Sequence, residues 1–276
     1  MSLKKLMNKS FLTRAISGIV LVIIILIAGI IGKDVLFGLT AVISLIGLFE
    51  LYRVVNIEKS LLGLVGYLSS IIYYGVIRFT DGSFVVPTII GMILLCLAVY
   101  VFTFPKYETQ KVLMAIFGVI YVPVLMSYLY LIRMTNDGIY TFWLVFIGSW
   151  ICDTFAYLTG VTCGKHKMAP VLSPKKSVEG AIGGVVGAGV VGAIYGAVIG
   201  PYLKSVSHPV IAFAVMCAIA GLVSMVGDLS ASAIKRNYEI KDYGKLIPGH
   251  GGILDRFDSV IFIAPVIFYI LLLFSI

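Results

Sequence analysis

The chain has 276 residues, of which 60% are hydrophobic and only 12% charged. A water-soluble globular domain carries about 25% charged residues, so this composition leaves too little polar surface to wrap a soluble body. The net charge of +8 does not point to nucleic acid, because the basic residues sit in short clusters between long apolar runs. The four cysteines, Cys96, Cys152, Cys163 and Cys217, show no CxxC pairing or zinc-ligand spacing and read as buried small apolar residues.

A helix needs about 20 mainly apolar residues to cross the hydrocarbon layer. In chain order, nine stretches meet that need: 15–31, 35–51, 61–77, 84–104, 112–132, 140–159, 178–200, 209–226 and 257–276. The first two are divided only by Gly32-Lys33-Asp34, which predicts a tight helical hairpin. The first follows a basic start (Lys4, Lys5, Lys9, Arg14), but its apolar run exceeds a signal peptide's 7–15 residues and no A-x-A-like site follows, so it reads as an uncleaved span. The expected fold is an all-α, polytopic integral membrane protein. Its organisation reads as one membrane unit over 1–276, with 1–135 as scaffold and 136–276 as the catalytic half.

Basic residues choose the orientation. With the N-terminus in the cytoplasm, the inner segments hold Lys4, Lys5, Lys9, Arg14, Arg53, Lys59, Lys106, Lys111, Lys165, Lys167, Lys175, Lys176, Lys235, Arg236, Lys241, Lys245 and Arg256. The outer loops hold Lys33, Arg78, Arg133 and Lys204, so 17 of the 21 basic residues lie inside. The long inner segments near 160–178 and 229–256 also carry most of the polar chemistry, where a cytoplasmic nucleotide can reach it.

Ionisable residues in membrane spans are costly and each is a functional candidate. In the sixth span, CDTFAYLTG places Asp153 one turn before Tyr157. Ser173-Pro174 reads as a helix start with proline in its first position, which would set Lys175 and Lys176 by amide donors suited to phosphate. Glu179 opens the seventh span and is expected to pair with a lysine or to orient a substrate group. The run GAIGGVVGAGVVGAIYGAVIG lacks the GK[ST] of a phosphate loop. Its small residues at four-residue spacing suit close helix packing in lipid.

Asp228 lies at the end of the eighth span. If that helix continues, Ser232 and Lys235 share its face, and Asp228 is either a ligand-binding carboxylate or one neutralised by Lys235 to join two helices. The following segment, KDYGKLIPGHGGILDRFDS, is broken by Pro248, Gly249, Gly251 and Gly252, which let backbone pass close to a ligand. Asp255 and Asp258 then open the ninth span with i, i+3 spacing. Carboxylates, glycines and the bases Lys235, Arg236, Lys241, Lys245, His250 and Arg256 together suit polyphosphate held with a hard cation such as Mg2+. His250, set between glycines, suits a phosphate or ribose contact better than a metal.

The stretch SASAIKRNYEIKDYGKLIPGHGGILDRFD resembles the signature of the phosphatidate cytidylyltransferase (CDP-diacylglycerol synthase) family, through Ser232, Lys235-Arg236, Lys241-Asp242, Gly244, Pro248, His250-Gly251-Gly252, Asp255-Arg256 and Asp258. CDTFAYLTG and SPKKSVEG are similar to further blocks of that family, so the resemblance covers the last half of the chain, and the first five spans match in hydropathy alone. It implies an inner-membrane enzyme joining CTP and phosphatidic acid, Mg2+ as cofactor with room for a second cation, K+, and a homodimer. It further implies that Asp228 and Asp255 bind metal. As a mechanistic expectation, Asp258 and Asp153 are assigned as second-tier ligands or orienters, and Lys175, Lys176, Lys235, Arg236 and Arg256 as the groups that neutralise the triphosphate and the lipid headgroup. A membrane transporter is the alternative from another class, and a CTP-dependent polyprenol kinase or an archaeal-lipid cytidylyltransferase are alternatives from within lipid enzymology.

Overall fold

The computed structural model describes residues 9–274 apart from residue 81, with side chains from residue 12 onward. Lys4 and Lys5 of the basic start, and the last two residues of the ninth stretch, lie outside the described residues. Among these residues, nine helices are long and apolar enough to cross a membrane: α1 (Leu12–Ile31), α2 (Lys33–Val54), α3 (Leu61–Phe79), α4 (Val85–Phe102), α5 (Thr109–Arg133), α6 (Gly138–Cys163), α7 (Val178–Tyr202), α8 (Pro209–Asn237) and α9 (Leu254–Phe274). The expected all-α polytopic membrane architecture therefore holds. Between α6 and α7 lies a small antiparallel hairpin, formed by β1 (Lys167–Ala169) and β2 (Ser173–Ser177).

The chain divides into two compact units. One comprises Met1–Ala28, Phe37–Ser127 and Lys241–Arg256; the other comprises Gly29–Leu36, Tyr128–Ile240 and Phe257–Ile276. In the first, a polar core joins α2, α3 and α5. Tyr52, fully buried, donates to the Ala115 carbonyl at 2.6 Å, and its ring fits because Gly66 and Gly118 offer no Cβ to meet it. Ser44 bonds Tyr74 at 2.7 Å and Tyr73 bonds Ser127 at 2.9 Å, so hydroxyls placed away from water find partners in one another. Pro123 cannot donate a backbone N–H, and α5 widens to a π-turn over Ile120–Val124.

In the second unit, glycines set the spacing of α6, α7 and α8. A Cβ on Gly183 or Gly187 would strike Thr159 or Phe155 of α6, and one on Gly192 or Gly196 would stand 2.5 Å from a carbonyl of Phe213 or Pro209 on α8. The small-residue run is thus used for helix packing, as its spacing suggests. The short break between the first two spans is also as expected: Gly32 and Lys33 both take positive φ. Arg133 closes it, donating to the last carbonyls of α1 at Gly29 (2.8 Å) and Ile30 (3.1 Å).

Two expectations are corrected. Ser173-Pro174 does not start a helix. Those residues belong to β2, and α7 begins at Val178 with Ser177 as its cap, whose hydroxyl accepts from Gly180 N–H at 3.1 Å. Ser177 is the better cap because it directly precedes the apolar run, whereas Pro174 is followed by two charged lysines, and a two-stranded hairpin tolerates proline. The second correction concerns Glu179. Among the described residues its side-chain partner is His166 rather than a lysine, with Oε1 2.6 Å from Nδ1, which corrects the lysine pairing alone.

Candidate active site

The hairpin and its neighbours enclose the first candidate site. A cavity of about 430 Å3 is lined by Asp153, Tyr157 and Gly160 of α6, Lys167 and Met168 of β1, Lys175, Lys176 and Ser177 of β2, Gly180 and Ala181 of α7, and Met225 of α8. Apolar walls with one carboxylate and several ammonium groups suit an anionic head on a partly apolar body. Lys175 is exposed and Lys176 half-buried.

Lys176 reaches α8, where its Nζ lies 2.5 Å from Asp228 Oδ2. The side chains are 24% and 35% exposed. The ammonium itself is sealed from solvent and meets the carboxylate as an ion pair without hydrogen-bond geometry. Asp228 therefore faces the lysine of β2. The helix does continue past it, to Asn237, carrying Ser232, Lys235 and exposed Arg236 through its last turns.

Glu179 organises the approach to the hairpin. It accepts from the amides of Lys165 (3.0 Å) and His166 (3.2 Å) in addition to its His166 ring contact. His166, to which the sequence assigns no role, thereby helps set the turn that presents Lys167. Asp258 belongs to this same unit. Its carboxylate accepts from the Ser259 amide at 2.8 Å, and its carbonyl would stand 2.8 Å from a Cβ on Gly227, the residue before Asp228. Ser259 donates to the Ser224 carbonyl at 3.3 Å, so α8 and α9 meet here through small residues.

The second candidate site is the glycine-rich loop of the first unit. Asp255, 6% exposed, accepts at one oxygen from the amides of Tyr243 (2.8 Å) and Gly252 (2.9 Å). Gly249 and Gly251 take φ of 76° and 86°, which side chains rarely adopt, and a Cβ on Gly251 would press on the Asp255 carboxylate at 2.8 Å. Ser17 of α1 lies 3.0 Å from the Pro248 carbonyl, to which it can donate, and 2.9 Å from His250 Nδ1. Burial, and then the positive charges of Arg256 and Arg14, hold the His250 imidazole below its usual range. That surplus of positive charge favours an anionic neighbour. Lys241 and Arg256 are exposed beside the loop.

Reading the sequence alone passes over Glu50 and Arg53 of α2. Glu50 is 3% exposed and accepts from the amides of Ile253 (3.1 Å) and Leu254 (2.9 Å), while Arg53 donates to the Tyr243 carbonyl at 2.7 Å. The signal was present: a carboxylate inside the apolar run LIGLFELYRV is costly unless partnered.

No group of three or more His, Cys, Asp or Glu residues able to hold a metal by themselves occurs among the described residues. Mg2+ does not require such a cage, since it uses one or two carboxylates with waters and substrate phosphates. Asp228 and Asp258 in one unit, and Asp255 in the other, each offer carboxylate oxygens of the hard kind that such an ion takes.

The model of the cytidylyltransferase family matches residues 12–274. The chain is 32% identical to the phosphatidate cytidylyltransferase of Bacillus subtilis over 95% of this chain and 98% of that protein. It is 30% identical to that of Staphylococcus haemolyticus over 92% and 96%, and 37% identical to that of Rickettsia bellii over 58% and 70%. The first five spans, which in the sequence match the family only by hydropathy, are thus included. The matched family is enzymatic, so the transporter alternative is not favoured. The chain belongs to the cytidylyltransferase family.

Proposed function

We propose that the protein transfers the cytidylyl group of CTP to phosphatidic acid, giving CDP-diacylglycerol and pyrophosphate, a step of phospholipid biosynthesis. What carries this reading is the near end-to-end likeness to a phosphatidate cytidylyltransferase, 98% of whose length is covered. In the reaction, a phosphate oxygen of phosphatidic acid attacks the α-phosphorus of CTP. A new P–O bond forms, the bond from the α-phosphorus to the β-phosphate bridge breaks, and pyrophosphate leaves.

That nucleophile is already anionic near neutral pH, so a strong base is not needed. The barrier lies in bringing two anions together, and positioning with charge neutralisation should dominate. Lys175 and Lys176 at the cavity are the proposed phosphate partners, with Lys235, Arg236, Lys241 and Arg256 as further cations. Asp153, Glu179, Ser232 and His250 are the proposed substrate-orienting groups. Asp228 and Asp255, with Asp258, are the proposed Mg2+ ligands, and K+ is proposed as a second cation. The metal would supply charge stabilisation on the phosphates. The proposed setting is the cell inner membrane, with the N-terminus and the site facing the cytoplasm and the protein a homodimer. Lipid chains would then stay in the bilayer while CTP arrives from water.

The test is purified protein with CTP, phosphatidic acid and Mg2+, measuring pyrophosphate release with each component omitted in turn. Release that does not depend on phosphatidic acid would remove the assignment.

A further inference from the structure

The start of α9 is tied down by carboxylates. A helix leaves its first amides without internal partners. Here Gly252 N–H goes to Asp255, while Ile253 and Leu254 N–H go to Glu50, which belongs to α2, about 200 residues earlier in the chain. Both oxygens of Glu50 are used, at 3.1 and 2.9 Å. The backbone comes this close because Gly244 and Gly252 carry no side chain, and a Cβ at either would collide with the Glu50 carboxylate. One turn further along α2, Arg53 holds the Tyr243 carbonyl, and the amide of that same residue is held by Asp255. Two buried carboxylates and one guanidinium therefore fix both flanks of the loop 243–254.

We propose that Glu50 is a positioning residue for the cytidylyl transfer, fixing the first turn of α9 so that the Asp255 carboxylate is held in its working direction. A generic buried cap would explain two hydrogen bonds. It would not require glycines on both loop flanks to admit the carboxylate, nor an adjacent arginine holding the residue whose amide orients Asp255. The inference rests on the proposed function for its catalytic consequence, though not for its geometry.

The test uses full-length protein in lipid nanodiscs, with Glu50→Gln, and with Glu50→Asp in case the first fails to fold. The carboxamide keeps one acceptor and turns a donor toward an amide N–H, and the aspartate falls short by a methylene. The first measurement is hydrogen exchange without metal or nucleotide. Peptides covering 243–256 should exchange about tenfold faster or more, with those of α3 and α7 unchanged. The second is steady-state kinetics, in which the half-saturating Mg2+ concentration should rise about tenfold, as expected when the support of a metal ligand is lost, with kcat at saturating Mg2+ changed far less. A merely structural glutamate would lower kcat and thermal stability at every Mg2+ concentration with half-saturation unmoved, and that result overturns the proposal. So does unaltered exchange at 243–256. If the wild-type protein shows no CTP turnover, the proposed activity falls, while the exchange arm still decides whether Glu50 holds the loop.

Discussion

Asp228→Asn is the substitution from which most can be worked out. The Lys176 ammonium is sealed from solvent and has this carboxylate 2.5 Å away. Breaking a fully buried pair costs about 3–5 kcal/mol, and exposed pairs are worth about 0.2–1. With the side chains 24% and 35% exposed, the loss for Asp228→Asn falls between, about 2 kcal/mol, because the lysine stays behind uncompensated. Lys176→Met should cost about 1 kcal/mol, since a thioether tolerates the site and the remaining carboxylate can be hydrated. The double variant should then lose about 1 kcal/mol rather than the additive 3, a coupling of about 2. Denaturation in detergent, read by tryptophan fluorescence, gives all three stabilities, and CTP turnover is assayed alongside. Asp228→Asn is expected to abolish CDP-diacylglycerol formation while still inserting. Additive losses, with coupling below about 0.5 kcal/mol, would refute the ion pair. Near-normal turnover in Asp228→Asn would remove Asp228 from the proposed metal site.

Other expectations follow from the same geometry. Gly192→Ala should destabilise by about 1–3 kcal/mol through overpacking, because its Cβ would meet the Phe213 carbonyl at 2.5 Å; Gly91→Ala, with open space around it, should be neutral or slightly stabilising, as thermal melts of both will show. Glu179→Gln should loosen the turn at Lys165 and His166, seen as faster exchange in 164–177, and should raise the half-saturating CTP concentration several-fold, roughly the cost of one charge-assisted bond. For His250 the folded fold disfavours the proton, so the unfolded chain binds more protons between the lowered value and about 6.5. Stability attributable to this group is therefore fully present above about pH 6.5 and declines as the pH falls toward the lowered value. His250→Gln should flatten that part of a stability-versus-pH curve, and an unchanged slope would count against the reading.

Why some of this was legible in the sequence, and some not, has a physical explanation. Spans are legible because the bilayer forces every backbone group to bond within its own segment, so hydropathy alone locates α1 to α9. The loop before α9 is legible because Pro248 and the glycines cannot continue a helix. The hairpin was not, since SPKKS carries no strand pattern and its pairing with Lys167–Ala169 depends on contacts after a turn. Asp228 stands out in the sequence as a candidate, yet its partner Lys176 lies 52 residues away, beyond any helical spacing rule.

Glu50 shows the same limit from the other side. Its cost was visible, a carboxylate buried in an apolar helix, but its partners are amides, which every residue possesses and no sequence pattern marks. What a sequence can display is the space that such a carboxylate needs. Gly244 and Gly252 are the residues a Cβ would drive into Glu50, and both stand in the family-like signature, where glycine is naturally taken for ligand approach. Here those two glycines serve the protein's own carboxylate, and a glycine-rich loop beside a costly buried acid should be tested for that internal use before its space is given to a substrate. Gly252→Ala separates the two readings. If Glu50 is what the glycine admits, the substitution should expose the 243–256 amides to exchange in the absence of any ligand. If the space belongs to nucleotide, exchange should be normal and only the half-saturating CTP concentration should move.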